Sequence, residues 1–445
     1  MTERSIWGSR IGFILASAGS AVGLGAIWKF PYMAGTNGGS IFMLPYIFFT
    51  ITIGLTLLIG EMCMGRAVRA GAATAFRQLG GRAAGAVGFL SVLTGFLVLA
   101  FYSVVGGWCV YYMVQAVLGN GIINDPNMMR GAFETFASSG ATPVISHLAF
   151  LGATAVVVYF GVEKGIERVA KILMPLLFIM MLVLIVRGLM LPGAWKGVEF
   201  LFKPDWSAFT SESLLNAMGF AFFSLSVGSG SQMNYGSYLS DKVHLPSSVS
   251  WIVFLAIMSA ILGGLMIMPA VFAFGLSPDA GPGLTFATMP AVFAQLPFGH
   301  FFAITFYVCL FVAALTSSIS ILEMSVQYLR DEWDMSRPAA VALTGSILAV
   351  LGTLCALSFG PLADVKIFGK TFFDFFDYTT SNIGMPIGVA GIAIVTAWMA
   401  WSTTKTQLSL VRPVSPLFLT SYRVMAGVFA PILITIVTLK GIGLF

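Results

Sequence analysis

Residues 19–31, Gly-Ser-Ala-Val-Gly-Leu-Gly-Ala-Ile-Trp-Lys-Phe-Pro, interrupt the first long apolar segment of the chain. Glycines at positions 19, 23 and 25 weaken a helix that the flanking residues favour. An unpaired backbone group is costly in hydrocarbon, so broken backbone occurs at membrane depth only where protein or a polar cavity satisfies the freed groups. The stretch therefore predicts a membrane helix that breaks beside a polar site.

A second uncharged span contains a similar interruption, Ser-Leu-Ser-Val-Gly-Ser-Gly at residues 224–230. Glycines in membrane helices also allow close helix packing, which would explain one such span. Two breaks in the two halves of a chain, one with Lys29 beside it, instead favour a transporter site for ions and substrate.

The composition excludes a soluble domain, because 58% of the 445 residues are hydrophobic and only 9% are charged. No charge occurs in residues 30–60, 83–124 or 213–240, and each gap exceeds the roughly 20 residues that a spanning helix needs. The four cysteines are widely separated and predict neither a disulfide framework nor a metal cluster. The chain is predicted to be an all-α polytopic membrane protein.

Eleven membrane spans are predicted, at residues 10–34, 40–64, 85–118, 144–161, 168–190, 213–239, 247–275, 299–329, 338–358, 371–399 and 419–440. The segment 66–82 is expected to be a connection lying on the membrane surface, 119–143 an outer loop, and 276–298 a capping or re-entrant loop. Gly165 and Pro175 would let the cytoplasmic end of the fifth span unwind. Alternatively, Gly165 is an ordinary loop glycine and Pro175 only kinks the helix.

The distribution of basic residues predicts the orientation of the chain. Fifteen of the 23 basic residues fall at or near one membrane face: Arg4, Arg10, Arg66, Arg69, Arg77, Arg82, Lys164, Arg168, Lys171, Lys242, Arg330, Arg337, Lys405, Arg412 and Arg423. The protein is predicted to lie in the inner (plasma) membrane of the cell. The positive-inside rule places the basic face and the N-terminus on the cytoplasmic side, and eleven spans then leave the C-terminus outside. The net charge of +5 reflects these loops and does not indicate nucleic-acid binding.

The eighth span contains Thr316, Ser317 and Ser318 in a stretch of small residues. Such hydroxyls commonly return to a carbonyl of their own helix. Opposite a broken helix with free carbonyls, they would instead be hard-oxygen ligands for a cation.

These motifs resemble the neurotransmitter:sodium symporters, especially their eleven-helix bacterial members that transport amino acids. The resemblance extends along essentially the whole chain and rests on residues 18–25 with Phe30-Pro31, on residues 222–228, on residues 164–168 with Pro175, and on residues 315–318. It implies a single transporter domain with broken first and sixth helices. Two inverted five-helix repeats, at about residues 10–190 and 213–399, would be followed by one extra helix at about 419–440.

The resemblance also implies where ions and substrate bind. The sodium ligands would be the carbonyls of Gly19, Val22 and Ala313 with the hydroxyls of Thr316 and Ser317. The substrate pocket would be lined by Leu24, Gly25, Val98, Tyr102, Phe223, Ser226, Ser229, Ser317 and Ile321. Tyr102 would donate to the substrate carboxylate, and Phe223 would cover the pocket.

Two charged pairs are expected to act as gates, again from the resemblance. Lys29 and Asp377 would close the outer path, with Lys29 standing where many relatives have arginine. Lysine cannot form the bidentate arginine fork. Arg4 and Asp331 would close the inner path, and the buried carboxylate of Glu61 would accept hydrogen bonds from the broken sixth helix.

The family's other sodium site is expected to be weakened, because apolar Ala26 and Leu255 stand at its two amide positions. The prediction is therefore a Na⁺-coupled symporter of amino acids or related small zwitterions with one Na⁺ per cycle. Ser226, Ser229 and Ser320 predict a pocket roomier and more polar than one for leucine. Loss of the sodium that touches the substrate carboxylate leaves an amino sulfonate as an alternative substrate. A non-transporting sensor of the same fold is a second alternative, whereas the chain lacks a convincing catalytic motif for an enzyme.

Overall fold

The computed structural model describes residues 5–120, 126–278 and 284–444. Its regular elements in these residues are helices, with one isolated β-bridge between Ile367 and Lys370. The all-α prediction is confirmed. The long apolar runs form helices because no other single-segment structure satisfies every backbone group within hydrocarbon.

The described residues include nine helices that are long and apolar enough to cross a membrane. We number the spans 1–11 in chain order. Nine are continuous: span 2 (Ser40–Val68), span 3 (Ala72–Val117), span 4 (Ala141–Tyr159), span 5 (Val162–Leu189), span 7 (Leu245–Ala273), span 8 (Gly299–Trp333), span 9 (Arg337–Leu357), span 10 (Phe372–Met399) and span 11 (Pro416–Gly441).

The other two predicted spans are broken, as expected. Span 1 consists of Arg10–Ala21 and Gly25–Thr36, which are bent by 46° relative to each other. Span 6 consists of Ser211–Ser224 and Ser231–Ser237, each shorter than the bilayer requires. Both interruptions fall at the glycine-containing stretches quoted above.

Span 8 is the central helix and span 11 lies at the periphery. In the apolar 18-residue stretch of each helix, 72% of span 8 is buried inside the protein, whereas only 17% of span 11 is buried. Span 8 packs against spans 1, 3, 4, 5 and 9, and against the second half of span 6. The hydroxyls at positions 316–318 therefore lie in the middle of the bundle.

Some connections are more ordered than the sequence suggests. Residues 72–80 form the first part of span 3 and join the rest of it through Gly81, whose φ of 78° favours glycine. The connection expected at 66–82 is therefore largely helical. Short helices that sequence analysis did not predict connect other spans, namely Pro126–Ser138, Trp195–Phe202, Met289–Ala294 and Trp401–Leu408. A π-helical turn, Val162–Glu167, begins span 5 and contains Gly165.

Candidate ion and substrate site

The break in span 1 exposes backbone carbonyls to side chains of other helices. The first half ends at Ala21, and the Val22 amide closes it by donating to the Ala18 carbonyl. The Ser317 hydroxyl of span 8 lies 3.1 Å from the Gly19 carbonyl oxygen and 3.0 Å from that of Ser20. Since the last carbonyls of a helix carry partial negative charge, this end can attract a cation.

The break in span 6 faces the same region. Ser226 has a φ of 55° and Gly228 a φ of 88°, so the chain turns through left-handed conformations that end the first half-helix. The Ser226 hydroxyl donates to the Ser20 carbonyl over 3.1 Å, which joins the two breaks directly. The breaks therefore form one polar centre, although they lie about two hundred residues apart in sequence.

Glu61 stabilises the broken part of span 6 from span 2. Its fully buried carboxylate accepts from the Gly228 amide over 3.0 Å and from the Met233 amide over 3.3 Å. A carboxylate suits this position, because it can accept several amides freed where a helix stops and restarts.

Four of the five predicted sodium ligands lie in close contact. Ser317 contacts Gly19 as described, and the Thr316 hydroxyl donates to the Ala313 carbonyl over 3.1 Å. A Cβ atom added to Gly19 would lie 3.1 Å from the Thr316 Cβ, so the two helices touch there. Val22 is the buried C-cap residue of the first half-helix, next to this contact in sequence.

The alternative role for these hydroxyls applies to two of the three. Thr316 and Ser318 return to carbonyls three residues earlier in their own helix, and Ser318 also pairs with Thr154 of span 4. The Ser317 hydroxyl instead crosses to span 1. Among these three hydroxyls, that of Ser317 reaches the break, and the Ser320 hydroxyl of span 8 also contacts the Ser20 hydroxyl at 2.7 Å.

A cavity of about 330 Å³ lies directly beside this centre. Its wall includes four of the predicted substrate residues, Leu24, Gly25, Tyr102 and Phe223. The Leu24 amide donates to the Tyr102 hydroxyl over 3.3 Å. Most of the remaining wall is aromatic: Trp28, Tyr32, Phe101, Trp108, Phe133, Phe286, Phe359 and Phe373.

The other predicted substrate residues do not line this cavity. Val98, Ser226, Ser229, Ser317 and Ile321 lie outside its wall. The Ser229 hydroxyl donates to the Ser226 carbonyl over 2.9 Å and contacts Ser231, and Ser320 donates to the Ser317 carbonyl over 2.7 Å. The hydroxyls of Ser229 and Ser320 thus form hydrogen bonds within the protein and do not make the cavity wall more polar.

The outer charged residues share the cavity without forming an ion pair in the described structure. Lys29 and Asp377 both line it, but the Lys29 ammonium lies 3.9 Å from the centre of the Phe223 ring. The Asp377 carboxylate accepts from the Ser381 hydroxyl over 3.1 Å. A lysine over an aromatic face is attracted to the ring electrons, so Lys29 stabilises the position of Phe223 in the cavity wall.

Of the predicted inner gate, Arg4 lies outside the described residues. Its expected partner Asp331 accepts from the Gly71 amide over 2.8 Å and from the Gln327 amide nitrogen over 2.7 Å. Nearby, the Trp7 indole donates to the Tyr235 carbonyl over 3.0 Å. Trp7 is thereby fixed against the second half of span 6.

Sequence analysis missed a buried ion pair near the predicted inner gate. Glu323 of span 8 is fully buried, and its carboxylate accepts from both terminal nitrogens of Arg337 over 2.7 and 2.8 Å. The Tyr238 hydroxyl also donates to Glu323 over 2.7 Å. A carboxylate inside the predicted span 299–329 was the available signal, because ionisable residues within spans are rare and usually paired.

At the second predicted sodium site, span 7 approaches Ala26 most closely at a residue other than the predicted Leu255. Its close approach to the Ala26 backbone falls at Gly263, eight residues beyond Leu255. The Ser224 hydroxyl donates to the Ala221 carbonyl of its own helix over 3.2 Å. The prediction of a weakened site therefore depends mainly on Ala26.

Comparison with known proteins identifies the family. Residues 4–121 and 134–444 match the sequence profile of the Sodium:neurotransmitter symporter family. YhdH of Bacillus subtilis, described as an uncharacterized sodium-dependent transporter, is 42% identical over 403 residues, covering 90% of this chain and 89% of YhdH. An uncharacterized sodium-dependent transporter of Haemophilus influenzae is 35% identical, with 92% of each chain covered.

A solved structure is similar to this chain over nearly its full length. The crystal structure of MhsT in complex with L-phenylalanine superposes with a TM-score of 0.91 and 39% sequence identity, covering 99% of this chain and 100% of MhsT. The human sodium- and chloride-dependent taurine transporter is more distant, at 27% identity over 85% of this chain and 68% of its own length. The chain described here belongs to the sodium:neurotransmitter symporter family.

Proposed function

We propose that this protein is a Na⁺-driven symporter of amino acids or related small zwitterions that works by alternating access. The observation that carries the proposal is the contact of Ser317 with the Gly19 and Ser20 carbonyls in the break of span 1, at 3.1 and 3.0 Å. This contact places hard oxygen donors beside a cavity that reaches Tyr102 and Phe223. Its close relatives are described as sodium-dependent transporters.

The proposed sodium ligands are the carbonyls of Gly19, Val22 and Ala313 with the hydroxyls of Thr316 and Ser317. Sodium bound there would tie span 8 to the first half of span 1, because its ligands come from both helices. Movement of one helix away from the other would separate the ligands and release the ion. Ala26 in place of an amide removes an oxygen from the second site, so we propose one Na⁺ per cycle.

The proposed substrate site lies where Tyr102 meets the break. Its hydroxyl already accepts from the Leu24 amide, so the phenol proton is directed to another acceptor, such as a substrate carboxylate. The aromatic cavity wall favours an apolar side chain over a second polar group. MhsT was crystallised with L-phenylalanine, and we propose an α-amino acid in preference to an amino sulfonate.

The remaining predicted substrate positions, Val98, Ser226, Ser229 and Ile321, would line the deeper part of the pocket once Phe223 moves inward. We propose that Lys29 and Asp377 form the outer gate. Lys29 would move from the Phe223 ring toward Asp377 as the site closes. Asp331 would take the inner role with Arg4.

The topology is proposed to follow the sequence prediction. The basic membrane face would be cytoplasmic, with the N-terminus inside and the C-terminus outside. Spans 1–5 and 6–10 would form two inverted repeats, in agreement with one broken helix at the start of each. Span 11 would be the additional helix.

Uptake into proteoliposomes under an imposed Na⁺ gradient tests the proposal. We expect accumulation of one or more labelled α-amino acids with the Na⁺ gradient and none with an equal K⁺ gradient. Tyr102→Phe should raise the substrate KM roughly 10- to 100-fold, because a hydrogen bond to a charged group contributes about 1.5–3 kcal/mol, and leave half-activation by Na⁺ unchanged.

The panel should include amino sulfonates, and equilibrium binding should be measured alongside uptake. Accumulation of only an amino sulfonate would overturn the proposed substrate class. Substrate binding without accumulation would instead indicate the sensor, and accumulation driven equally by K⁺ would exclude sodium coupling.

A further inference from the structure

A second cleft, of about 340 Å³, lies on the basic membrane face away from the ion and substrate site. We call it the basic cleft. It is formed between the helix Trp401–Leu408 and the beginning of span 11, and Trp401, Lys405, Leu419 and Arg423 lie in its wall. It shares no wall residue with the cavity at Tyr102.

The basic cleft carries positive charge that protein acceptors do not neutralise. Lys405 and Arg423 are exposed, and within the part of the chain that the structure describes neither forms a salt bridge. Residues 378–445 contain four basic residues and no acidic ones, so the surrounding sequence supplies no carboxylate. Arg412, a third cation nearby in sequence, is turned to His244, to which its Nε donates over 3.2 Å.

Arg423 is held in a fixed orientation. Its Nε donates to the Ala397 carbonyl over 3.2 Å, and its guanidinium carbon lies 5.2 Å from the Trp401 ring and 5.8 Å from the Trp398 ring. Within the described residues its two terminal nitrogens have no protein acceptor. A guanidinium held in this way presents a rigid pair of donors suited to a phosphate group.

The position of the cleft corresponds to the headgroup level of a bilayer. Arg423 lies seven residues into span 11, or roughly 10 Å along the helix from its first residue. Trp398 is 60% exposed and donates its indole N–H to the Gly427 carbonyl over 3.1 Å. Tryptophan concentrates at membrane–water interfaces, where its ring meets chains and headgroups.

An apolar surface continues from the cleft into the membrane. Val424 lies in the cleft wall, and Val428 and Ile432 follow it at helical spacing with 44% and 53% of their surface exposed. The apolar window of span 11 is only 17% buried in protein. An occupant with a phosphate and attached acyl chains fits both parts of this site.

We propose that the basic cleft binds the phosphate of an anionic phospholipid, with Arg423 as the bidentate donor and Lys405 as a second cation. The acyl chains would follow span 11 past Val424. Basic pockets between membrane helices attract anionic headgroups, whereas a choline headgroup would bring an additional positive charge to the two cations. The lipid would connect span 11 to the helix Trp401–Leu408, since Arg423 and Trp401 belong to these two elements.

The test is a titration of the purified, delipidated full-length protein with phosphatidylglycerol, with bound lipid counted by native mass spectrometry and the thermal unfolding midpoint measured in parallel. Lys405→Gln should weaken phosphatidylglycerol binding about fivefold, and the double variant with Arg423→Gln about 30-fold. Lys405→Arg should retain binding. Phosphatidylcholine should bind at least tenfold more weakly than phosphatidylglycerol to the wild-type protein.

Arg82→Gln is the matched control, because Arg82 is an exposed arginine on the same predicted face and lies outside the cleft. An equal loss of binding in this control would overturn the proposal by indicating general surface attraction. So would unchanged binding in Lys405→Gln, a variant of an exposed side chain that leaves packing intact. If inorganic phosphate alone raised the unfolding midpoint as much as phosphatidylglycerol, the cleft would be a soluble-anion site and the lipid assignment would be wrong.

Discussion

Replacing Ser317 by alanine tests the ion site most directly. The Ser317 hydroxyl of span 8 reaches the span 1 break, at 3.1 Å from the Gly19 carbonyl and 3.0 Å from the Ser20 carbonyl. The change removes one oxygen and leaves the Cβ atom, so it creates little empty space. It therefore removes one proposed Na⁺ ligand with little change in packing.

The magnitude follows from what this oxygen would contact. A polar group that meets a charged partner contributes about 1.5–3 kcal/mol, so its removal should weaken Na⁺ binding roughly 10- to 100-fold. Without Na⁺, the same change removes only a neutral hydrogen bond of about 0.5–1.5 kcal/mol. The Ser20 carbonyl keeps its donor from Ser226, which limits this structural cost.

The assay is Na⁺ activation of uptake in proteoliposomes, together with the unfolding midpoint measured with and without Na⁺. Ser317→Ala should raise the half-activating Na⁺ concentration by the stated factor and abolish most of the Na⁺-dependent stabilisation. Ser318→Ala is the control, because this buried neighbour donates to the Leu315 carbonyl and pairs with Thr154 instead. A half-activating concentration within twofold of wild type, or an equal shift in Ser318→Ala, would refute the reasoning.

Three further predictions concern the support of the site. Glu61→Gln should reduce uptake at least tenfold, since the Gly228 amide loses a charged acceptor at 3.0 Å; wild-type uptake would contradict this role. Glu323→Gln and Arg337→Met should each lower the free energy of unfolding by about 3–5 kcal/mol, because each leaves the other charge buried without its partner. In thermal unfolding the double variant should recover most of this loss, whereas additive losses would show that the two residues are not coupled. Gly23→Ala should reduce Na⁺-driven uptake at least tenfold, because the added Cβ would lie 3.0 Å from the Tyr102 hydroxyl and would also clash with Ser317. Gly345→Ala is the control and should retain uptake, because no atom lies within 4 Å of its added Cβ.

The charged gates depend on tertiary geometry more than the resemblance suggests. A lysine and an aspartate on facing helices are expected to pair, yet Lys29 lies over the Phe223 ring and Asp377 is engaged by Ser381. Both residues still line the same cavity. Pairing of Lys29 with Asp377 would therefore need a different arrangement of these side chains, and sequence cannot specify which arrangement forms because both use the same residues.

The sequence by itself determined the all-α membrane fold and the two helix breaks. These features follow from local chemistry, since long apolar runs must form helices in hydrocarbon and glycine clusters weaken them. Tertiary structure decided the pair formed by Glu323 and Arg337, the helix at residues 72–80 and the basic cleft at Arg423. Such features depend on which helix faces meet and how far side chains reach across them, and helical periodicity alone does not specify either.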